Sequence, residues 1–577
     1  MSDAGGRLPW ELPLGATPQA DGTTVFRVWA PRASRVEVEV DGLRTPLDEE
    51  LGVFTGRLDA GAGDRYRYVL DGGDPLPDPC SRFQPEGVRG PSEIVDPAAW
   101  TWTDAAWPGL DHDGLVVYEM HVGTFTPEGT FAAAAERLPA LRELGVTAVE
   151  LMPVATFPGD RNWGYDGLYT WAAHPAYGGP AGLAAFVDAA HAAGLGVILD
   201  VVYNHIGPGS ETIDAFGPYL TDRYGTPWGR AVNFDDAGCG GVREWAIQNA
   251  EMWVRELHVD GLRVDAVHAI FDAGARHVLA ELCDRVRAAA GVPPILIAES
   301  DLNDPRTVTP AGRGGWGFDA QWSDDFHHAL HALTTGEGDG YYADFGGVGH
   351  LAGATARPFV YDGRYSAHRG RRHGAPADGI PASRFVVSSQ NHDQVGNRAF
   401  GDRPPAETLP LRAMWTILSP WIPMLFMGEE HGERRPFAFF TDHIDAFIAN
   451  ATREGRRREF AAFTGFAEER IPDPQDPETA RRSVIDPDGG DPAVRELHRR
   501  LLALRRELPA AERRLRSDGA AGWIGVARGD VEMVGNFGEN EVEVQVDGRT
   551  VVLATHEGVG LRDGVLRLPP LAGAVVR

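Results

Sequence analysis

The sequence predicts an α/β protein: a (β/α)8 TIM barrel between an N-terminal β-sandwich and a small C-terminal β domain. Three observations carry the prediction. Across the middle of the chain, short apolar runs alternate with stretches of helical periodicity, the pattern of a parallel sheet covered by helices. At both ends apolar and polar residues alternate one by one between turn signals, the pattern of half-buried strands. Four polar clusters each close a different apolar run, which is where a barrel keeps its working side chains. The expected boundaries are 1–95 for the sandwich, 96–510 for the barrel with its insertions, and 511–577 for the C-terminal domain.

Residues 24–29, 36–40 and 65–70 alternate as half-buried strands, and Asp41-Gly42 and Asp71-Gly-Gly73 are turns between them. A Pro- and Gly-rich stretch, 75–108, reads as a linker packed on the next domain. The barrel then begins. Strands are expected at 115–118, 146–152, 195–202, 259–264, 294–299, 384–388 and 423–427. Helices are expected at 131–144, 181–193, 242–257, 273–290 and 492–508, from apolar spacing near 3.6. An irregular stretch fills the interval up to Gly241. Beyond Pro509, residues 523–527, 531–534, 542–546 and 551–554 return to strand patterning. The one basic run, 456–458, is expected to be a solvated helix face.

Length and charge narrow the function. A chain of 577 residues is too long for one compact core. A formal net charge of −29 argues against nucleic acid or an anionic membrane as partner. No apolar run is long enough to span a bilayer, and Met1-Ser-Asp-Ala-Gly-Gly6 lacks the basic-then-apolar order of a secretory signal. Cys80, Cys239 and Cys283 are far apart, which suits reduced thiols in a cytoplasmic protein. Every basic residue is arginine. Without a lysine there is no Schiff base and no phosphate-loop lysine, so pyridoxal enzymes, Schiff-base aldolases and P-loop nucleotide hydrolases are excluded.

The four clusters are Asp200-Val-Val-Tyr-Asn-His205, then Arg263 and Asp265 with His268 just beyond, then Glu299, then Gln390-Asn-His-Asp393. Arg263 and Asp265 stand two apart on a strand and so share a face. An arginine there keeps the carboxylate ionised and oriented, as a nucleophile requires. Glu299 leaves the apolar run 295–297, where desolvation raises a carboxyl pKa, as a general acid requires. Asp393 is suited to a positively charged transition state, and His205 and His392 to donating hydrogen bonds to a sugar ring. This is the equipment of glycoside hydrolysis by two carboxyls. The rival reading, a metal site, fits less well, because the spacings match no compact zinc motif. No cofactor and no metal are expected. Aromatic platforms for a sugar are sought in Trp163-Gly-Tyr165-Asp166 and in the loop from Gly315 to Trp322.

Together Asp200-x-x-x-Asn204-His205, Gly261-x-Arg263-x-Asp265, Glu299 and Asn391-His392-Asp393 resemble the four signature regions of the α-amylase superfamily, glycoside hydrolase family 13. The resemblance implies a retaining mechanism with Asp265 as nucleophile, Glu299 as acid/base and Asp393 as transition-state stabiliser. Tyr165, Asp166, His205, Arg263 and His268 are implied as substrate contacts. Further stretches, among them Pro77-Asp-Pro79, Trp322-Ser-Asp-Asp-Phe-His-His328 and Gln390 to Arg398, are similar to a trehalose-releasing branch of the superfamily. They add Trp322, Asp324, Asp325, His328, Asn391, His392 and Gln394 as implied contacts. They also imply a carbohydrate-binding-like N-terminal sandwich and cleavage of the α-1,4 bond beside the terminal trehalose of maltooligosyl trehalose. The metabolic partner is then a maltooligosyl trehalose synthase. The N-terminal sandwich and Pro77-Asp-Pro79 are also similar to those of 1,4-α-glucan branching enzymes, so branching or debranching is the alternative activity. A non-catalytic carbohydrate-binding barrel is disfavoured by the presence of all three carboxyls.

Overall fold

The middle of the chain closes eight parallel strands into a barrel, in the order in which they occur. They are β1 (Val117–Met120), β2 (Ala148–Leu151), β3 (Gly196–Val201), β4 (Gly261–Val264), β5 (Ile295–Ala298), β6 (Ala320–Trp322), β7 (Phe385–Ser388) and β8 (Ile422–Phe426). Closure is direct: Val117 of β1 registers with Met424 of β8. Every residue of these strands is buried, as expected where helices cover the outside and side chains fill the inside. The structure is a computed structural model that describes residues 7–460, 471–509 and 514–577. The expected junction at 510 and 511, and Met1 to Gly6, lie outside the described residues.

Seven of the strands fall where the apolar runs place them, with the first shifted two residues along, to Val117–Met120. The eighth, β6, was missed by pattern reading because it is three residues long and centred on Gln321. The expected helix 131–144 is two helices, Phe131–Ala135 and Leu138–Leu144. Pro139 explains the break, since its ring clashes with the carbonyl four residues back and it has no N–H to donate. The expected helix 273–290 begins only at Val278, because Asp272 Oδ2 takes the Val278 N–H (2.6 Å) and holds the preceding residues in a loop. The irregular stretch before Gly241 contains a hairpin, Leu220–Thr226 with Gly229–Val232. Gly261 lets β4 and β5 pair closely: a Cβ there would lie 2.4 Å from the Ile295 carbonyl oxygen.

The N-terminal region is a sandwich. Strands Gly15–Pro18, Thr24–Trp29, Val53–Leu58 and Asp48–Glu50 form one sheet; Leu43–Pro46, Val36–Val40, Arg65–Leu70 and Pro75–Leu76 form the other. Phe26 and Tyr66 meet edge to face in its core, 5.1 Å between centroids. Arg82 ties it to the barrel through two 3.0 Å bonds to Glu256. After the helix Pro492–Arg505, a five-stranded and a three-stranded sheet complete the chain. Arg505 and Arg528 clamp this domain below the barrel by donating to the carbonyls of residues 417–419 and Trp421.

The run 456–458 is corrected in part. Arg457 and Arg458 are exposed, but Arg456 is buried. Its Nη2 donates to the carbonyls of Gly396 and Arg398, both at 2.8 Å, and its guanidinium lies over Phe460 at 4.5 Å. Both carbonyls lie behind the fourth polar cluster, and Arg456 braces them from the far side.

The barrel interior also holds Glu150 of β2, fully buried, with neither carboxyl oxygen hydrogen-bonded among the described residues. Burial first, then the charge of Glu119, pushes its pKa well up, against the pull of Arg263. A carboxyl raised in the folded state gives stability that is complete below the unfolded pKa and is lost as pH rises toward the folded one. Each tenfold difference in proton affinity between the folded and unfolded states corresponds to about 1.4 kcal/mol lost on the alkaline side. Glu150→Gln should therefore raise the unfolding temperature at pH 8 and leave it nearly unchanged at pH 4. Thermal unfolding at the two pH values checks this, and equal effects at both would exclude a titrating Glu150.

Candidate active site

The site is built around Arg263, which projects from β4 and is completely buried. Its Nη1 donates to Asp200 Oδ2 (2.8 Å) on β3 and to Asp265 Oδ1 (2.7 Å) just past β4. Its Nη2 stands 3.7 Å from Glu299 Oε2, just past β5. One cation thus faces three carboxyls. Trp322 of β6 covers the guanidinium, 4.2 Å from the ring centroid, a contact worth roughly 2 kcal/mol when water is excluded. Tyr165 donates its hydroxyl to Asp200 Oδ2 (2.6 Å).

Asp265 is held from both sides. Asn204 Nδ2 donates to its Oδ2 (2.6 Å) and to its carbonyl (3.0 Å). The chain then turns through Ala266 in a left-handed conformation, φ 39° and ψ 51°. Such a turn is disfavoured for a residue with a Cβ, and alanine is the smallest that carries one. It aims the Ala266 N–H at Glu299 Oε2 (2.5 Å). The backbone beside one carboxyl therefore orients the other.

The carboxyls differ electrostatically. Burial raises Glu299; Arg263 opposes and Asp265 and Asp393 reinforce the rise. Asp200 is raised to about 7, again by burial against Arg263. Asp324 is pushed well up by burial and by Glu299 and Asp393. Arg263 is pushed further up, since its partners outweigh its desolvation. Burial thus raises Glu299, Asp200 and Asp324, and Asp200 shares the Arg263 Nη1 with Asp265.

Beyond β7, His392 and Asp393 begin the short helix His392–Gly396, whose N-cap, Asn391, accepts from the Gln394 N–H (2.8 Å). Asp393 Oδ1 accepts from Asn397 (3.0 Å) and lies 3.5 Å from His392 Nε2. Tyr165 stacks on the His392 ring at 5.0 Å. His205 bonds to Asn204 Oδ1 and to the Tyr165 carbonyl (2.8 Å), and Trp228 of the hairpin stacks on it at 4.9 Å.

The alpha amylase catalytic domain matches residues 94–217, carbohydrate-binding module 48 (the isoamylase N-terminal domain) matches 13–99, and a domain of unknown function, DUF3459, matches 510–575. The malto-oligosyltrehalose trehalohydrolase of Rhizobium sp. (strain M-11) is 46% identical over 98% of this chain and 99% of its own. The chain belongs to the malto-oligosyltrehalose trehalohydrolase family. Its relative of that name from Saccharolobus solfataricus is 44% identical over 93% of this chain and 94% of its own. A crystal structure from Salmonella typhimurium superposes with a TM-score of 0.90 at 38% identity, over 98% of this chain and 99% of that one. The chain is a glycoside hydrolase of the α-amylase superfamily on the barrel fold that its pattern predicts.

The structure brings Asp265, Glu299, Asp393, Arg263, Tyr165, His205 and His392 into one linked cluster. Asp166 lies beside it, accepting from Asn162 (2.6 Å) and 3.8 Å from His443. His268 follows the Ala266 turn and is half-buried. His328 is deeper, between Tyr341 and Phe345, where burial lowers it to about 3. Gln394 is buried two residues beyond His392.

Two expectations are corrected. Trp322 is no open sugar platform: it is 3% exposed and its face is occupied by Arg263. Asp325 Oδ2 is taken by Asn303 (2.9 Å) and by the Val360 and Tyr361 N–H groups (2.6 and 2.8 Å), so it fastens a loop. The half-exposed Trp228 is an aromatic face that pattern reading did not single out. Glu119 and the Ala266 turn were also missed, and Asn204, part of the first signature, had been given no role. For Glu119 a signal existed, a charged residue inside an apolar strand, the same signal that flagged Arg263.

Trp322→Ala should destabilise the fold by about 3–5 kcal/mol, the usual cost of deleting a buried tryptophan. Trp322→Phe should cost far less, since a ring still covers Arg263. Denaturant unfolding of both variants checks this, and an unchanged midpoint for Trp322→Ala would restore the platform reading.

Proposed function

We propose that this enzyme hydrolyses the α-1,4-glucosidic bond beside the terminal trehalose of maltooligosyl trehalose, releasing trehalose with retention. The relation to trehalohydrolases over essentially the whole chain carries this reading. The roles follow from the chemistry of each group. Asp265, on the cation, attacks the anomeric carbon as the glycosidic C–O bond breaks. Glu299, whose pKa burial raises, gives its proton to the departing trehalose oxygen. The resulting glycosyl ester on Asp265 is then hydrolysed by water, with Glu299 taking the proton back and Asp265 released. Asp393 faces the positively charged transition state and His392 holds the sugar ring, while His205, expected to do the same, has both ring nitrogens engaged by Asn204 and the Tyr165 carbonyl.

The trehalose end fits the wall made by the helices Asp324–Thr335 and His392–Gly396. Arg398 joins them by two 2.8 Å bonds to Glu337, and Arg412 joins Ser389 to Thr334 at 2.9 Å. A wall braced in this way suits discrimination by shape. The substrate calls for a maltooligosyl trehalose synthase as metabolic partner. Three unpaired cysteines, two of them buried, support a cytoplasmic setting. Among the described residues no helix is long and apolar enough to cross a membrane.

Asp265→Asn should lower turnover by at least about a thousandfold with the fold retained, because the amide is near-isosteric but not a nucleophile. Rates on purified protein, with circular dichroism as the control, check it; substantial residual activity moves the nucleophile elsewhere. Maltotriosyl trehalose should be cleaved to trehalose and maltotriose with a kcat/KM about tenfold to several hundredfold above that for maltopentaose. One or two unpaired polar groups in the wrong complex suffice for that ratio. Equal rates on both substrates would point to a general amylase, and new α-1,6 linkages from amylose to a branching enzyme.

A further inference from the structure

The most demanding contact near the site is one that the proposed mechanism does not use. Glu119 lies in the middle of β1, in register with Glu150 of β2 and Phe426 of β8, and is 1% exposed. Its two oxygens hold two different groups of one residue. Oε2 accepts the backbone N–H of His392 (2.8 Å), and Oε1 accepts its ring Nδ1–H (2.5 Å). A carboxylate can only accept, so Nδ1 carries the proton. The grip fixes where the helix His392–Gly396 starts and how the imidazole is turned. Tyr165 stacks on the ring at 5.0 Å and Trp163 meets its edge at 5.7 Å, so it has no second orientation. The other nitrogen, Nε2, is thereby aimed toward Asp393, 3.5 Å away, on the side of the site where the sugar binds.

We propose that Glu119 is a positioning residue for the reaction, acting through His392 by holding it as a charged, doubly protonated imidazolium whose Nε2–H points into the sugar site. The inference rests on the proposed function, in which His392 donates to the sugar. The groups facing the ring are Glu119 from β1 and His121 just past it, Glu150 from β2, Asp200 from β3, Arg263 from β4, Tyr165 from the loop after β2 and Asp393 beside it. Burial and Arg263 oppose a charge on the ring, yet Asp393 and Glu119 outweigh them and hold His392 up to about 9. His121, two residues beyond Glu119 and just past the end of β1, has no such partner, and burial lowers it to about 4. Two buried histidines in one neighbourhood thus differ in charge, and carboxylates make the difference. Because the raised pKa belongs to a base, the charged ring is present at low pH and lost as pH rises through about 9.

Glu119→Gln removes the charge and keeps the shape. It is compared with the wild-type full-length enzyme, with kcat/KM measured from pH 5 to 9 on maltotriosyl trehalose and on maltopentaose. The ratio of wild-type to variant kcat/KM should grow roughly tenfold or more between pH 5 and pH 8, because the variant ring loses its proton in that interval and the wild-type ring does not. A variant as active as the wild type at every pH, or a loss of the same size at every pH, overturns the proposal. A second measurement leaves Glu119 in place: nitrogen NMR of histidine-labelled wild-type protein, with His392 identified by difference from His392→Asn. Both ring nitrogens protonated at pH 8 is the expected result, and a neutral ring at pH 7 overturns the proposal. If the wild type releases no trehalose, the proposed function fails, while the maltopentaose arm and the NMR measurement still decide the role of Glu119.

Discussion

A single guanidinium with no access to water sets the terms for the whole barrel. Arg263 is fully buried, and a buried cation is tolerated only when it is paired. Its partners come from three consecutive strand ends, Asp200 near the end of β3, Asp265 after β4 and Glu299 after β5, so satisfying the charge fixes those ends relative to one another. Trp322 of β6 closes the remaining face. Four neighbouring strands are thus held in register by one side chain, and the three carboxyls lie where that register places them.

The interior behind Arg263 is more polar than a barrel core needs to be. Glu119 and Glu150 face each other across β1 and β2, and they are treated oppositely. Glu119 holds His392 with both oxygens, while Glu150 has no partner among the described residues and is driven toward its neutral form. Packing alone gives no reason to place two acids there. The first is explained by the histidine it orients. The second lowers stability on the alkaline side, and nothing in the structure explains its presence.

The flanking domains are fastened by arginine as well. Arg82 docks the sandwich against the helix Cys239–Glu256, and Arg505 and Arg528 cap the carbonyls that end the helix Leu409–Leu418. Burial beside Arg528 lowers Arg505 to about 9, and a lysine, with its lower starting pKa, would hold a charge less well there. In a chain without lysine, guanidinium groups carry every such task, and their planar forks suit paired carbonyls and carboxylates.

The barrel was legible in the sequence because strand and helix periods are local properties: seven of eight strands, the flanking β regions and the four polar strand ends follow from patterning within a few residues. The places of Asp265 and Glu299 at strand ends were legible for a similar reason, since a charge closing an apolar run stands out without knowledge of its neighbours. Other features depended on which distant residues meet. Trp322 and Asp325 look like ligand contacts in a loop, yet one is covered by Arg263 and the other is spent on Asn303, Val360 and Tyr361. Arg456 looks like surface and is the donor for two buried carbonyls. Glu119 meets His392 across 273 residues of chain, and the left-handed turn at Ala266 leaves no mark on residue type. Periodicity records which side of an element is buried. It does not record what lies on the other side, and for charged groups that partner decides protonation, orientation and role.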